Sequence, residues 1–265
     1  MRYINMFLLH FQDAFYERAR SFVWFLIPSL NALLILIFWI GVFHEKGVAF
    51  SNWSLPSISS YYFLLIIAGS FLEMHIEEDV ARLDIQEGGL SMYLLRPFSY
   101  FWFKFFHEIP WRIIQGTYGL LLFAVFGLFF GRFVQFADSF LVLGLSFIII
   151  VLAFFMSFVF KMIIGISAFW ITDFTGLQQI VELIFLIFAG YIIPLEFLPQ
   201  FFANVAYNLP FSYMIYFPIV ALEGKLSVFA LLRVIETQLL WMVILSLIYK
   251  YLWKKGIREF TAIGQ

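Results

Sequence analysis

The chain has 265 residues, of which 63% are hydrophobic and only 12% are charged, and its formal net charge is −1. Soluble domains carry roughly 25% charged residues, so this chain has too little polar surface to dissolve its 38 Phe residues in water. We therefore expect an all-α polytopic protein of the lipid bilayer. The near-neutral charge excludes the broad basic surface that a nucleic-acid partner requires, and the absence of cysteine excludes disulfides and cysteine-ligated metals.

Residues 1–20 predict an amphipathic helix. Tyr3, Phe7 and Phe11 fall on one helical face, whereas Gln12 and Asp13 fall on the other. Such a helix is expected to lie in the membrane interface. The alternative is an unstructured cytoplasmic tail.

Six apolar stretches are candidates for membrane spans, because a helix needs roughly 20 apolar residues to cross the hydrocarbon core. They are Phe22–Phe43, Ser57–Leu72, Ile113–Phe130, Phe140–Ala168, Gln178–Leu195 and Val228–Tyr249. Most Lys and Arg residues of the connecting segments fall on one side, which the positive-inside rule assigns to the cytoplasm. We therefore expect six transmembrane helices in a single domain, residues 1–265, with both termini in the cytoplasm.

An acidic segment follows the second predicted span, on the expected cytoplasmic side. Its acids are Glu73, Glu77, Glu78, Asp79, Asp84 and Glu87. Ile76, Val80 and Leu83 recur at helical spacing within it, and a Gly-Gly pair ends the pattern. Anionic lipid headgroups attract basic helices, so we expect this acidic helix to dock into a groove on another protein. The alternative is a solvated charged loop.

An aromatic segment leads from the acidic segment to the third span. Cations such as Lys104 interrupt its aromatic residues, a mixture typical of the headgroup layer. Pro97 and Pro110 are expected to break the helix locally. The pattern predicts that residues 73–112 form a cytoplasmic and interfacial segment and not a seventh span.

A second irregular segment, residues 196–227, is expected on the outer side, and we refer to it as the outer segment. It is apolar, yet four prolines in and beside it cut it into pieces too short to cross: Pro194, Pro199, Pro210 and Pro218. Short helices that dip into the membrane and return satisfy both constraints. Aromatic and apolar residues would then cover a pathway as an outer gate: Phe201, Phe202, Tyr207, Leu209 and Phe211, with Glu196 and Asn208 facing water. The alternative is an interfacial aromatic belt without a gating role.

Charged residues also occur within or beside the predicted spans, where they are costly and often functional. Lys161 is expected to pair with Glu182 across a hairpin, with Asp173 as a competing partner. Arg233 and Glu236 are one helical turn apart and are expected to pair with each other. These groups have either a structural role, which we favour, or a role along a substrate path.

The sequence lacks the motifs of the common catalytic sites. No GxxxxGK[ST] phosphate-binding loop is present, so the chain must draw energy from a partner or a gradient. The four histidines are scattered and form no zinc motif: His10, His44, His75 and His107. No metal site is therefore expected.

Two stretches resemble the permeases of type-2 ABC (ATP-binding cassette) transporters. The sequence Gly-Gly-Leu-Ser-Met-Tyr-Leu-Leu-Arg-Pro is similar to the G-x-L-x-x-x-L-L-(K/R)-P segment of an uncharacterised six-span subgroup, and the match includes Gly89, Leu95, Arg96 and Pro97. Residues 192–225, with Ile-Pro-Leu and Leu-Pro-Phe, resemble the family's pattern after its fifth span. With the six spans, the resemblance covers essentially the whole chain.

The resemblance implies a permease subunit of the inner membrane, paired with an identical or homologous permease through its first and fifth spans. Each permease would engage a cytoplasmic ABC ATPase that binds ATP and Mg²⁺, so the chain itself would be no enzyme and would hold no cofactor. The acidic segment would be the coupling helix, and the outer segment would be re-entrant. The aromatic spans favour an amphiphilic or hydrophobic cargo, and the resemblance implies export more often than import. A polytopic membrane enzyme or assembly factor acting on a lipid-linked substrate remains the alternative.

Overall fold

The computed structural model describes residues 2–46, 53–130 and 134–260, and the chain in these ranges is predominantly helical. The helices are α1 (Arg2–Tyr16), α2 (Arg18–Lys46), α3 (Leu55–Leu72), α4 (Ile76–Glu78), α5 (Leu90–Leu94), α6 (Tyr100–Phe130), α7 (Phe140–Ile166), α8 (Phe174–Phe188), α9 (Gln200–Asn208), α10 (Pro210–Met214), α11 (Tyr216–Leu222) and α12 (Val228–Glu259). A π-helical segment, Asp79–Gln86, continues α4, and 3-10 turns cover Ser167–Phe169 and Leu195–Phe197. The side chains of Tyr3 and His44 and residues 47–52 and 131–133 lie outside the described part.

Within the residues that the structure describes, five helical stretches are long and apolar enough to cross a membrane. They are Arg18–Phe43, Leu55–Gln86, Tyr100–Phe126, Phe140–Phe169 and Val228–Glu259. They confirm a multi-helix membrane protein and match five of the six predicted spans. The predicted span Gln178–Leu195 corresponds to α8, which ends at Phe188 after 15 residues. At 1.5 Å per residue α8 is roughly 22 Å long, shorter than the hydrocarbon core.

Helix α6 differs from the expectation of a break at Pro110. The helix starts at Tyr100 and passes through Pro110 without interruption. A proline within a helix removes one backbone hydrogen bond and kinks the helix, and long helices tolerate the loss when neighbouring groups compensate. The aromatic segment after Pro97 is therefore the first part of a long helix.

Helix α3 is buried along almost its whole length. Trp39 of α2 donates to the Tyr62 hydroxyl at 2.9 Å, and the Tyr62 hydroxyl donates to the Ile192 carbonyl at 2.7 Å. Next to it, the Tyr61 hydroxyl donates to the Gly190 carbonyl at 2.5 Å. These bonds satisfy polar groups inside the bundle and tie the chain after α8 to the two central helices.

The bundle has two ends, named here after the short helices that lie there. The α5 end contains α1, α5 and the C-terminal ends of α3, α7 and α12. The α11 end contains the start of α3, the start of α7 and the loop from α11 to α12. Helix α1 packs along α6 at the α5 end, where the His10 ring lies 5.1 Å from Phe103 and 4.8 Å from His107.

Candidate functional site

The acidic segment folds back into the protein at the α5 end. Ile76 and Val80 are at most 1% exposed, whereas Leu83 is 48% exposed. A Cβ atom at Gly165 of α7 would lie 2.8 Å from the Val80 side chain, so the segment and α7 are in close contact. The expectation of an outward apolar stripe is therefore wrong for Ile76 and Val80, because α7 already covers them.

Glu77 is the buried partner of Lys161. Its side chain is 1% exposed and its Oε1 lies 2.5 Å from the Lys161 Nζ, while the Gln178 amide donates to the same oxygen at 3.5 Å. The expected pairs of Lys161 with Glu182 or Asp173 do not form. The cation instead joins α7 to the acidic segment, 84 residues away in sequence.

Asp84 forms a second buried ion pair within the same segment. The Lys104 Nζ lies 2.6 Å from Asp84 Oδ2, and the two side chains are 6% and 5% exposed. The Tyr100 hydroxyl donates to the same carboxylate. Two of the six acids therefore attach the segment to the long helices, Asp84 to α6 and Glu77 to α7. Breaking either pair would leave an uncompensated charge away from water, which is strongly destabilising.

The other four acids differ in their surroundings. Glu73 is half-buried and accepts from the Tyr191 hydroxyl at 3.2 Å. Glu78 pairs with Arg82 at 3.3 Å near the surface. Asp79 is half-buried and Glu87 is exposed. Glu78 and Glu87 therefore remain accessible to another protein.

The α5 ridge, formed by Met92, Leu94 and Leu95, is the exposed apolar feature that follows the acidic segment. These side chains are 60%, 44% and 88% exposed, while Leu90 at the start of α5 is fully buried. A Cβ atom at Gly89 would lie 2.7 Å from the Leu83 carbonyl oxygen, so the tight turn before α5 requires glycine. The motif residues Gly89, Leu95, Arg96 and Pro97 thus surround a short exposed helix, and the sequence interpretation missed Met92 and Leu94.

The outer segment reaches deep into the bundle and returns. The Phe211 ring of α10 lies 5.3 Å from Phe160 and 5.9 Å from Phe185. Phe160 lies roughly 30 Å along α7 from the α11 end, at 1.5 Å per residue. After α11 the chain is back at that end, where the Leu222 carbonyl accepts from the Ala137 amide at 2.9 Å.

The residues expected to cover a pathway occupy different environments in this segment. Phe201 and Phe202 are 72% and 47% exposed, so they do not pack over the bundle. Phe211 packs deep inside it. Leu209 and Tyr207 are half-buried, whereas Pro194, Pro210 and Pro218 are buried and Pro199 is exposed. Glu196 and Asn208 are both exposed, and Glu196 accepts from the Tyr216 hydroxyl.

The remaining charges near the spans are separate from one another. Asp173 caps α8 by accepting from the Gly176 amide at 3.0 Å. Glu182 is exposed on α8. Arg233 lies 4.5 Å from the Phe229 ring centroid, and the ion pairs of the described residues do not include the expected pair with Glu236. Near the start of α12, the guanidinium of Arg233 therefore contacts the aromatic face of Phe229 one turn earlier.

The loop between α11 and α12 holds a further ion pair that the sequence interpretation did not find. The Lys225 Nζ lies 2.9 Å from Glu223 Oε2 and 3.1 Å from the Trp53 ring centroid. Burial raises the pKa of Glu223 to about 7 although Lys225 acts in the opposite direction. Burial likewise lowers the pKa of Lys225.

These features describe a multi-pass α-helical membrane protein with an exposed apolar helix at one end and an irregular segment that enters from the other. A family model described as "ABC-2 family transporter protein" matches residues 29–264. The chain therefore belongs to the ABC-2 transporter family, whose members are membrane transport subunits. A search of curated proteins finds no match.

Proposed function

We propose that the chain is the permease subunit of an ABC transporter that exports an amphiphilic or hydrophobic compound and is driven by a separate cytoplasmic ATPase. The family match over residues 29–264 supports the class. The bias of Lys and Arg supports a cytoplasmic position for the α5 end. In this arrangement α8 and the chain after it complete a sixth crossing.

The α5 ridge is the observation on which this proposal rests. An exposed apolar surface on a soluble side of a protein marks an interaction site, and Leu95 is 88% exposed beside the exposed Arg96. Leu90, at the base of α5, is buried, and Lys104 of the Asp84–Lys104 pair lies 5.2 Å from the ring centroid of Tyr93 in α5. A push on the ridge would therefore reach α6 and, through Glu77 and Lys161, α7.

The position of the α5 ridge refines the expected coupling site. The predicted docking residues Glu77, Asp84, Ile76 and Val80 are buried and serve to attach the acidic segment. The accessible part of the coupling surface consists of the α5 ridge, flanked by Glu78 and Glu87.

The experiment compares two leucines at the same end of the bundle. Leu95→Glu should reduce the substrate-stimulated ATP hydrolysis of the reconstituted transporter at least about tenfold, because a buried unpaired charge costs well over 1.4 kcal/mol at an interface. Leu83→Glu, on the neighbouring segment and 48% exposed, is the matched control and should retain the ATP hydrolysis measured without substrate, since Leu83 also borders the cavity between α1, α2 and α6. Normal hydrolysis in Leu95→Glu with loss in Leu83→Glu would instead place coupling on the acidic segment.

We also propose that the outer segment is a re-entrant gate. Its support is the contact of Phe211 with Phe160 and Phe185, together with the return of the chain at Leu222. Backbone broken by proline is tolerated at membrane depth where protein covers it, and α10 is almost wholly buried.

A dimer with a second permease, identical or homologous, completes the proposal. Glu182 is exposed on α8 between the exposed apolar residues Ile180, Leu183 and Ile184. A carboxylate facing lipid is costly, so this face of α8 is better covered by a partner or by water along a pathway. Because the chain has no cysteine, Leu183→Cys should give a crosslinked permease dimer if the fifth span forms the contact, whereas exposed Leu247→Cys on α12 should not.

A further inference from the structure

A cavity of about 400 Å³ lies at the α5 end between α1, the start of α2, the acidic segment and α6. Ligand sites usually occupy about 300–1,000 Å³, so the space suits a small organic molecule. It is partly open, and Trp24 and Trp111 form aromatic parts of its wall. The proposed coupling to the ATPase gives no role to this cavity.

The wall carries more acids than bases. The acids are Asp13, Glu17, Glu78, Asp79 and Glu108, and the two arginines are Arg20 and Arg112. Each arginine is already engaged, with Arg20 at 3.2 Å from Glu17 and Arg112 at 2.8 Å from Glu108. The cavity therefore has an excess of negative charge for which its own arginines do not compensate.

Asp79 is the acid that remains available inside the cavity. It is half-buried, and none of the ion pairs or hydrogen bonds between described residues involves its carboxylate. Its neighbour Glu78 is paired with Arg82 at 3.3 Å. Lys104 and Arg20 act on the Asp79 carboxylate only from beyond ion-pair distance, because they are paired with Asp84 and Glu17. A partly desolvated carboxylate in this position attracts a further cation more strongly than one in water does.

Gln115 provides a second, independent indication of a ligand. The residue is 3% exposed, and its carboxamide forms no hydrogen bond within the part of the chain that the structure describes. It lines this cavity and also a smaller one that continues toward Glu73 and Tyr191. Buried polar groups nearly always have a partner, so an amide left open toward a cavity indicates that the occupant of the cavity supplies one.

We propose that this cavity binds a protonated primary amine attached to an apolar body. Asp79 supplies the negative charge and Gln115 a carbonyl acceptor, since an ammonium group has three donors and no acceptor. Trp24 and Trp111 provide an apolar wall whose ring faces also attract cations, as the Arg20 guanidinium 6.0 Å from the Trp111 centroid illustrates. The inference deepens the proposed function, because the amine would be the cargo class at the cytoplasmic entrance.

The test is a titration of the purified full-length protein in phosphatidylcholine nanodiscs, followed by calorimetry with empty nanodiscs subtracted. Phenethylamine, protonated at neutral pH, should bind saturably, and the uncharged phenethyl alcohol should bind at least about tenfold more weakly. Asp79→Asn should weaken phenethylamine binding about tenfold to hundredfold, as expected for a charged hydrogen bond, and Gln115→Leu should weaken it less. Glu87→Gln removes a nearby acid outside the cavity and is the matched control, with unchanged binding.

Equal binding of the alcohol and the amine, or full binding by Asp79→Asn, would overturn the proposal. Thermal unfolding of each variant separates loss of binding from loss of fold. Replacing half of the lipid by phosphatidylethanolamine, which carries the same amine, identifies the source of the ligand: competition with phenethylamine assigns the site to a lipid headgroup, and unchanged binding assigns it to a soluble amine. The titration contains no ATPase or nucleotide, so its failure leaves the permease proposal standing, and failed coupling through Leu95 leaves the amine site standing.

Discussion

The buried pair of Glu77 and Lys161 allows a quantitative prediction, because its two side chains differ in burial. Glu77 is 1% exposed and Lys161 is 15% exposed. Removing one partner of a buried ion pair typically costs about 3–5 kcal/mol, because the other charge is left uncompensated. Lys161→Met leaves the more deeply buried charge and should cost about 5 kcal/mol. Glu77→Gln leaves a lysine that can reach some water and should cost about 3 kcal/mol.

The double variant Glu77→Gln/Lys161→Met leaves no charge and should cost less than either single variant. The difference from additivity is the interaction energy of a double-mutant cycle. The assay is reversible unfolding in mixed detergent micelles, followed by tryptophan fluorescence. Arg20→Met in the exposed pair with Glu17 is the control and should change stability by at most about 1 kcal/mol. Additive effects of the two single variants would show that Glu77 and Lys161 are not coupled. A smaller loss of unfolding free energy in Lys161→Met than in Glu77→Gln would contradict the predicted effect of their unequal burial.

Three further predictions concern the chain after α8. Gly190→Ala should destabilise the protein by about 1–3 kcal/mol in thermal unfolding, because φ is +79° and a Cβ atom would lie 2.8 Å from the Tyr61 hydroxyl. Gly144→Ala, where a Cβ atom would meet open space, should leave the stability unchanged, and equal effects of the two substitutions would contradict this packing. Since burial raises the pKa of Glu223 from 4.5 to about 7, the folded state holds that proton more tightly, so stability should fall as pH rises from 4.5 to 7. Glu223→Gln should remove this part of the slope, and an unchanged slope would contradict it. Single cysteines from Phe197 to Tyr216 should alternate in labelling by an impermeant external thiol reagent, and uniform labelling would indicate an ordinary exposed loop.

The membrane spans could be predicted from the sequence because hydropathy depends on local composition. Five of the six predicted spans coincide with long helices. The predicted fifth span, Gln178–Leu195, extends beyond the end of α8 at Phe188. Ala189–Leu195 is apolar enough to continue a helix, yet the chain turns at Gly190, whose φ is positive. Apolar composition alone does not distinguish a buried turn from a helix.

The charge pairs could not be predicted in the same way. Lys161 was assigned a partner close in sequence, but the structure supplies one 84 residues away. A buried lysine pairs with whichever carboxylate the packing brings near, and that depends on tertiary structure. Glu77 and Asp84 are seven residues apart and can share a helical face, a spacing that could have indicated their inward orientation.

The α5 ridge was partly visible in the sequence. The motif predicts Leu95, Arg96 and Pro97, whereas the larger number of acids in residues 73–87 favours the neighbouring acidic segment as the docking surface. The exposed fraction of the side chains distinguishes the α5 ridge from the acidic segment, because Leu95 is 88% exposed while Val80 is fully buried. Burial of that kind depends on contact with α7 and cannot be read from the periodicity of one helix.

Native mass measurement of the complex, purified from its own membrane in a mild detergent, shows whether the chain is the permease of an ABC transporter. The chain should leave the membrane with a nucleotide-binding ATPase, as two permease subunits and two ATPase subunits. Leu95→Glu should lose the ATPase, while Leu83→Glu should retain it. Recovery of the wild-type chain alone, under conditions in which the ATPase is present and folded, would contradict this assignment.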